Sequence, residues 1–239
     1  MKEKLLFQDK NENDLIGFLK QNKQTKILNF LNLHELYQFN KEKIYQKAVI
    51  EKNNINFIDG FVISAYLSFN NIKRVPRVRG PTFTRSFLSN PDLSKNKRHF
   101  FIGFDNKDFK NLKKNFPHLK NISCYNPPYI KNLKFSKKEI NKISKLINKF
   151  KPDYVWVGIG ASKQNILSSD LSKKTTAQYF INIGAALDFL IGKKREAPLI
   201  VRELGIEWFY RLVTDFKYSK KKVWRSLIGL KYLRQVKLQ

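Results

Sequence analysis

One cysteine, Cys124, stands in the whole chain, so no intrachain disulfide framework can form and a reducing compartment is expected. Acidic residues are scarce as well. Against 47 Lys+Arg there are 19 Asp+Glu, a formal charge of +28 that attracts polyanions without choosing among nucleic acid, an anionic bilayer and a diphosphate. The three histidines are scattered, at His34, His99 and His118, with no spacing to Cys124 or to clustered acids that would make a metal-ligand set. No Asp-x-Asp occurs, so the usual sequence sign of a divalent ion on a nucleotide diphosphate is missing; no metal and no cofactor are expected. No apolar run approaches the ~18 residues of a spanning helix, and the opening MKEKLLFQDKNEND lacks a signal-peptide core. A cytoplasmic protein whose membrane contact is peripheral is expected.

What is present is enough to fold, since 42% hydrophobic and 14% aromatic residues exclude a wholly disordered chain despite the charge. Short β-branched and aromatic runs lie at Ile27 to Phe30, Ile55 to Ile58, His99 to Gly103, Asn121 to Cys124, Tyr154 to Gly158 and Gln178 to Gly184. Segments of helical spacing separate them, clearest where Ile140, Ile143, Ile147 and Phe150 share one face before Pro152. The alternation predicts an α/β fold, a Rossmann-like, mostly parallel sheet flanked by helices. Strand signals stop after Gly192, and two helical patterns follow. We therefore expect an α/β domain over residues 1–195 and a basic helical C-terminal appendage over 196–239, with no acid after Asp215 and with Lys220, Lys221, Lys222 and Arg225 beside an apolar stripe.

Candidate chemistry gathers where strands end, the edge at which open α/β sheets bind ligands. Asp59-Gly60 follows the run ending at Ile58, where a carboxylate can serve as a general base or Asp-Gly can simply turn the chain. Gly158-Ile159-Gly160-Ala161-Ser162-Lys163-Gln164 leads from a strand into a helix, a junction at which backbone N–H groups can meet a phosphate; the same glycines would also serve a tight turn. Asp188 falls in the first turn of the next helix, where it can complement the dipole or meet a ribose hydroxyl. Asn126-Pro127-Pro128 makes a rigid loop at the same edge.

These pieces, in order, resemble the WecG/TagA/CpsF family of bacterial glycosyltransferases: Asn32, Asp59-Gly60, Arg77-Val78-Arg79-Gly80, Asn126-Pro127-Pro128, the Gly158 to Gln164 run, Gly184 to Phe189, Ala197-Pro198 and Leu204 to Leu212. The resemblance implies an inverting, metal-independent hexosyltransferase. It would move an N-acetylhexosamine-type sugar, N-acetylmannosamine or its uronic acid, from a UDP-sugar donor to an undecaprenyl-diphosphate-linked acceptor. The product would enter surface polysaccharide or teichoic acid. It implies Asp59 as the base, Arg77, Gln164 and Asp188 on the UDP-sugar together with Gly158, Gly160 and Lys163, and Asn32 in the same pocket. Arg211 and Arg225 would approach the diphosphate as the appendage, a mobile basic cover, closes the site against the inner face of the cytoplasmic membrane.

Departures from the family pattern are Phe30 in place of Thr, Thr82 of Asp, Ser162 of Pro, Asn165 of Glu, Glu196 of Arg and Ser226-Leu227 of Arg-Tyr. They leave an inactive paralogue as one alternative. A non-enzymatic basic nucleic-acid-binding protein is another, disfavoured because the basic residues are spread along the chain and no nucleic-acid-binding signature occurs. Assembly into a homo-oligomer is left open.

Overall fold

The computed structural model describes residues 3–21, 24–214 and 216–239, apart from the side chains of 21, 203, 208, 211, 217 and 218. The first half contains β1 (Leu5–Phe7), α1 (Glu12–Gln21), β2 (Lys26–Leu31), α2 (Leu33–Lys41), α3 (Lys43–Ile50), β3 (Asn54–Ile58), α4 (Phe61–Asn71), α5 (Gly80–Ser89), α6 (Pro91–Ser94) and β4 (His99–Ile102). There follow α7 (Asn106–Asn115), β5 (Ile122–Tyr125), α8 (Lys137–Phe150), β6 (Tyr154–Val157), α9 (Lys163–Ser172), β7 (Tyr179–Asn182) and α10 (Ala186–Leu190). The chain ends with α11 (Leu199–Glu203), α12 (Glu207–Thr214), α13 (Phe216–Gly229), a 3-10 turn (Leu230–Gln235) and β8 (Val236–Leu238).

Six strands form one sheet in the order β3-β2-β7-β6-β4-β5, with every neighbouring pair parallel. Each is one of the six expected strands. Their residues read as continuous apolar runs because helices cover both faces. Alternate residues of β4 feed the two layers: Phe101 joins Phe83, Phe87 and Trp156, whereas Phe100 and Ile102 join Ile143, Ile147 and Val155 beneath α8. His99 is the polar exception in that strand. It accepts the Trp156 indole N–H at Nδ1 (3.1 Å), so Nε2 carries the proton and donates to the Ser94 carbonyl (2.9 Å). Burial holds this imidazole neutral, its pKa pushed down to about 4.

Helix boundaries follow local chemistry. Ser136 caps α8 by accepting the Glu139 N–H, and Lys151 ends it in the left-handed conformation before Pro152. The C-terminal segment differs from expectation in one element. β8 is a strand where no strand was expected after Gly192, and it pairs in parallel with β1, itself unforeseen. Three residues of Val-Lys-Leu at the end of a basic helical pattern are too few to separate a period of 2 from one of 3.6. Val236 thereby joins Leu5, Phe7, Leu36 and Tyr45 in the core, while α13 lies along α2.

Candidate active site

Because the six strands are parallel, the loops carrying the expected residues leave one edge of the sheet. From β4 the chain moves outward to β5, and from β6 it moves the opposite way to β7, which opens a crevice between the ends of β4 and β6. Gly103 and Gly158 meet there. Gly103 has φ +109, and a Cβ on it would lie 2.9 Å from the Gly158 carbonyl oxygen, so any side chain would force the two strand ends apart. Over them sits a cavity of about 440 Å³, lined by Gly103, Gly158, Gly160, Lys163, Gly184 and Asp188 and by the Asn126-Pro127-Pro128 loop.

The walls of this cavity are built from the turn before α9 and the loops after β5 and β7. Ser162 forms a tight γ-turn (φ +67, ψ −49) closed by the Lys163 N–H on the Ala161 carbonyl at 2.9 Å, and α9 starts directly after it. A proline, fixed near φ −65°, could not take that conformation. The Lys163 ammonium donates to the Ile130 carbonyl and lies 4.8 Å above the Tyr129 ring. Gln164, buried, holds the β7 loop by accepting the Gly184 N–H at its Oε1 (3.0 Å). Asp188 pairs with Lys194 at 2.8 Å.

Asp59 stands at the other end of the same edge. Its N–H extends the ladder to the Leu31 carbonyl (2.9 Å), and a Cβ on Gly60 would come 3.0 Å from Cβ of Asn32, so Asp59-Gly60 abuts Asn32. Burial raises the Asp59 pKa; Arg79, Arg77, Lys222 and the Gly80 N–H pull against that rise. Arg77 Nε donates to the Asp59 carbonyl (3.2 Å), and Arg77 and Arg79 both reach Glu207 Oε1, at 3.7 and 3.1 Å. Glu207 opens α12, so this pair of arginines fastens the C-terminal segment to the site.

A buried carboxyl, Glu35, is close enough to the half-buried Asp59 to feel its charge. Burial is the main cause of its raised pKa, and Asp59 adds to it, while Lys222 on α13 opposes. Glu35 Oε2 accepts the Asn32 N–H (3.2 Å) and Asn32 Oδ1 accepts the His34 N–H (2.9 Å), a capping box at the start of α2. His34 is held neutral, its pKa lowered to about 3 by burial and then by Lys222 and Arg225.

The expected residues thus fall into two groups. Gly158, Gly160, Lys163 and Asp188 line the cavity, with Gln164 bracing it; Asn32, Asp59 and Arg77 form the second group, 5.9 Å separating the Arg77 guanidinium from the Phe61 ring centre. Arg225 lies 5.7 Å over the Tyr37 ring on α2. The Arg211 side chain lies outside the described residues. Glu35 was not foreseen, and Arg79 and Glu207, although inside the runs that carry the resemblance, were not expected at the site; Asn32-x-x-Glu35 is a capping-box spacing, and Arg79 follows Arg77 at the period of extended chain. Three departures from the family pattern have visible partners, one of them Asn165, whose Nδ2 donates to Asn29 Oδ1 (2.7 Å). Phe30 packs against Phe57 and Phe83 beneath Gly80, and Glu196 accepts from Arg85 (2.8 Å) and Arg202 (2.6 Å).

Fold and site define a doubly covered parallel-sheet protein with a glycine-lined crevice at its switch point and a half-buried carboxyl at the same edge. The chain belongs to the glycosyl transferase WecG/TagA/CpsF family, whose sequence profile matches residues 7–237. It is similar to proteins named N-acetylglucosaminyldiphosphoundecaprenol N-acetyl-beta-D-mannosaminyltransferase from Staphylococcus aureus strains MRSA252 and NCTC 8325 / PS 47. Each is 37% identical over 79 residues, 33% of this chain and 31% of the relative. The match thus spans under a third of those relatives' length. Among the described residues no helix is long and apolar enough to cross a membrane, and no group of three or more His, Cys, Asp or Glu could hold a metal ion.

Proposed function

We propose that this glycosyltransferase is an inverting, metal-independent enzyme. It moves N-acetylmannosamine or its uronic acid from a UDP-sugar to an undecaprenyl-diphosphate-linked acceptor for surface polysaccharide or teichoic acid. The observation that carries the proposal is the shared sheet edge: a cavity in the ligand-sized range of roughly 300–1,000 Å³ over the ends of β4 and β6, and Asp59 at the end of β3, three strand spacings from β6, about 14 Å at ~4.8 Å per strand. That separation suits a donor whose nucleotide lies in the cavity and whose sugar reaches toward Asp59. The name of the similar Staphylococcus aureus proteins supports an N-acetylglucosamine-diphosphate lipid as acceptor.

In this mechanism the Asp59 carboxylate takes the proton of an acceptor hydroxyl. The hydroxyl oxygen attacks the anomeric carbon as the bond from that carbon to the phosphate oxygen breaks; the centre inverts and UDP leaves with the electron pair. Lys163 and the positive end of the α9 dipole would meet the diphosphate charge, with arginines of the C-terminal segment contributing from the bilayer side. Asp188 would take a hydroxyl of the nucleotide or sugar. The apolar, basic C-terminal segment would rest on an anionic membrane surface. The test is a donor screen with the purified chain: UDP-N-acetylmannosamine, its uronic acid, UDP-N-acetylglucosamine and UDP-glucose, each with a lipid-diphosphate-N-acetylglucosamine acceptor. Transfer from one of the first two with release of UDP is expected; transfer from none, with no UDP binding, overturns the proposal.

A further inference from the structure

A band of buried amides crosses the sheet just beneath the site. Asn29 on β2 lies directly opposite Asn56 on β3 and Asn182 on β7, so three neighbouring parallel strands present an asparagine at one level. Asn29 has no exposed surface. Its Oδ1 accepts from Asn165 Nδ2 and Asn182 Nδ2, both at 2.7 Å; its Nδ2 donates to the side-chain oxygens of Asn54 and Asn56, both at 2.8 Å. Two acceptances and two donations are all that a carboxamide can make. Asn56 passes its own N–H groups to the Leu6 and Val49 carbonyls, and Asn182 Oδ1 accepts from Ser168 on α9 (2.7 Å).

Such a hub admits no substitute. Aspartate has no hydrogens to give Asn54 and Asn56, leucine leaves three buried partners and the half-buried Asn54 without their bonds, and glutamine is one methylene too long for a filled core. Asn29 is fully satisfied, although Asn165 keeps its own buried Oδ1 without a partner, and removing the hub leaves its neighbours' polar groups stranded in a medium that cannot solvate them. The position of the hub is what bears on function. β2 runs on to Asn32, β3 to Asp59 and β7 to Gly184, while Asn165 is adjacent to Gln164 in the first turn of α9.

We propose that Asn29, with Asn165 as its link to α9, is a positioning residue of the transfer site, one amide that fixes the cavity loops and the Asp59 strand at a common level. This rests on the glycosyltransferase function proposed above. Neither residue touches substrate; they act through Gln164, Gly184 and the ends of β2 and β3.

The test compares the native chain with Asn165→Ala, Asn29→Leu and a control, Leu171→Ala, which hollows the core on α9 without touching an amide of the network. Amide hydrogen exchange is measured on residues 158–164 and 183–188. Faster exchange there in both asparagine variants, but not in the control at comparable loss of Tm, is expected. In the same variants kcat/KM per folded molecule should fall about 10- to 100-fold, the cost of a misplacement near 1 Å, and the control should keep its native value. Exchange and kcat/KM that track Tm alone in all variants overturn the proposal and leave the network as packing. If Asn29→Leu does not fold, Asn165→Ala against the control still decides. If the native chain neither binds UDP nor transfers sugar, the proposed function fails, whereas the exchange comparison still reads out whether the amides set the loops.

Discussion

A carboxyl group taken out of water resists ionisation, and Asp59 and Glu35 are both in that position. An acid whose pKa is higher in the fold than in the open chain holds its proton more tightly when folded. Folding is then most favoured below the open-chain value, and stability is lost as pH rises through the folded pKa. Asp59→Asn should therefore raise Tm at pH 7 and change it little at pH 4, while transfer falls about 10² to 10⁴-fold with UDP affinity kept. Near-native turnover would place the base elsewhere. The native rate should rise with pH through the raised Asp59 pKa, because only the carboxylate accepts a proton. Glu35→Gln keeps the capping box and should likewise raise Tm at pH 7. Thermal melts at the two pH values check both variants. The buried histidines act in the opposite sense. Their depressed values, about 4 for His99 and about 3 for His34, mean that the stability they contribute is lost as pH falls below ~6.5.

At the scale of elements, Asn32 carries two duties that different substitutions separate. Its Oδ1 caps α2, which leaves the NH₂ as the group it can offer a ligand. Asn32→Ala should cost about 1 kcal/mol of stability and also activity, whereas Asn32→Asp keeps the cap and should lose activity with little change in Tm. Equal activity loss without any difference in Tm would deny the cap its part. α13 meets α2 at Gly229, where a Cβ would come 2.3 Å from the Leu33 carbonyl oxygen. Gly229→Ala must then lift the helix that brings Lys222 and Arg225 to the Asp59 end of the site, and kcat should fall more than UDP affinity.

The elements show what a sequence can and cannot disclose. The six sheet strands were legible because each is a short apolar run between helical periods, and the glycine loop because strand-to-helix punctuation is local. β1 and β8 were hidden, since they hold each other across the full length of the chain and neither is long enough to show a period. Asn29 was hidden too. An asparagine inside an apolar strand says nothing about its partners until register aligns it with Asn56 and Asn182. The resemblance put Arg77 and Gln164 in one site, but their separation into two groups depends on where each strand falls in the sheet.

At the scale of the whole molecule, a charge of +28 and an apolar face combine in the C-terminal segment. Ile200 (71% exposed), Val213 (70%), Phe216 (60%) and Trp224 (66%) show their side chains to solvent, although residues of this size on a monomer's surface usually come singly. Lys220, Lys221 and Lys222 lie on the same helix as Trp224. Each Lys or Arg near an anionic surface is worth about 1 kcal/mol, so shallow insertion of the apolar residues would suffice to hold the protein on a bilayer. Deleting the segment would be a poor test, because it also removes β8 and uncovers Leu5 and Phe7 in the core. Point variants avoid that. Ile200→Ser, Val213→Ser and Phe216→Ser together change exposed side chains, so each should move stability by no more than about 0.5 kcal/mol. UDP binding should be native. Sedimentation with vesicles containing phosphatidylglycerol should fall sharply, transfer to a lipid-linked acceptor in those vesicles should fall with it, and transfer to a short, water-soluble acceptor should stay. Raising the salt should weaken the native chain's hold in the same way, since the ionic half of the contact is screened within ~10 Å at 0.1 M. If the triple variant sediments as fully as the native chain, the bilayer is met by another face, and the exposed apolar side chains of α11, α12 and the start of α13 await a different partner.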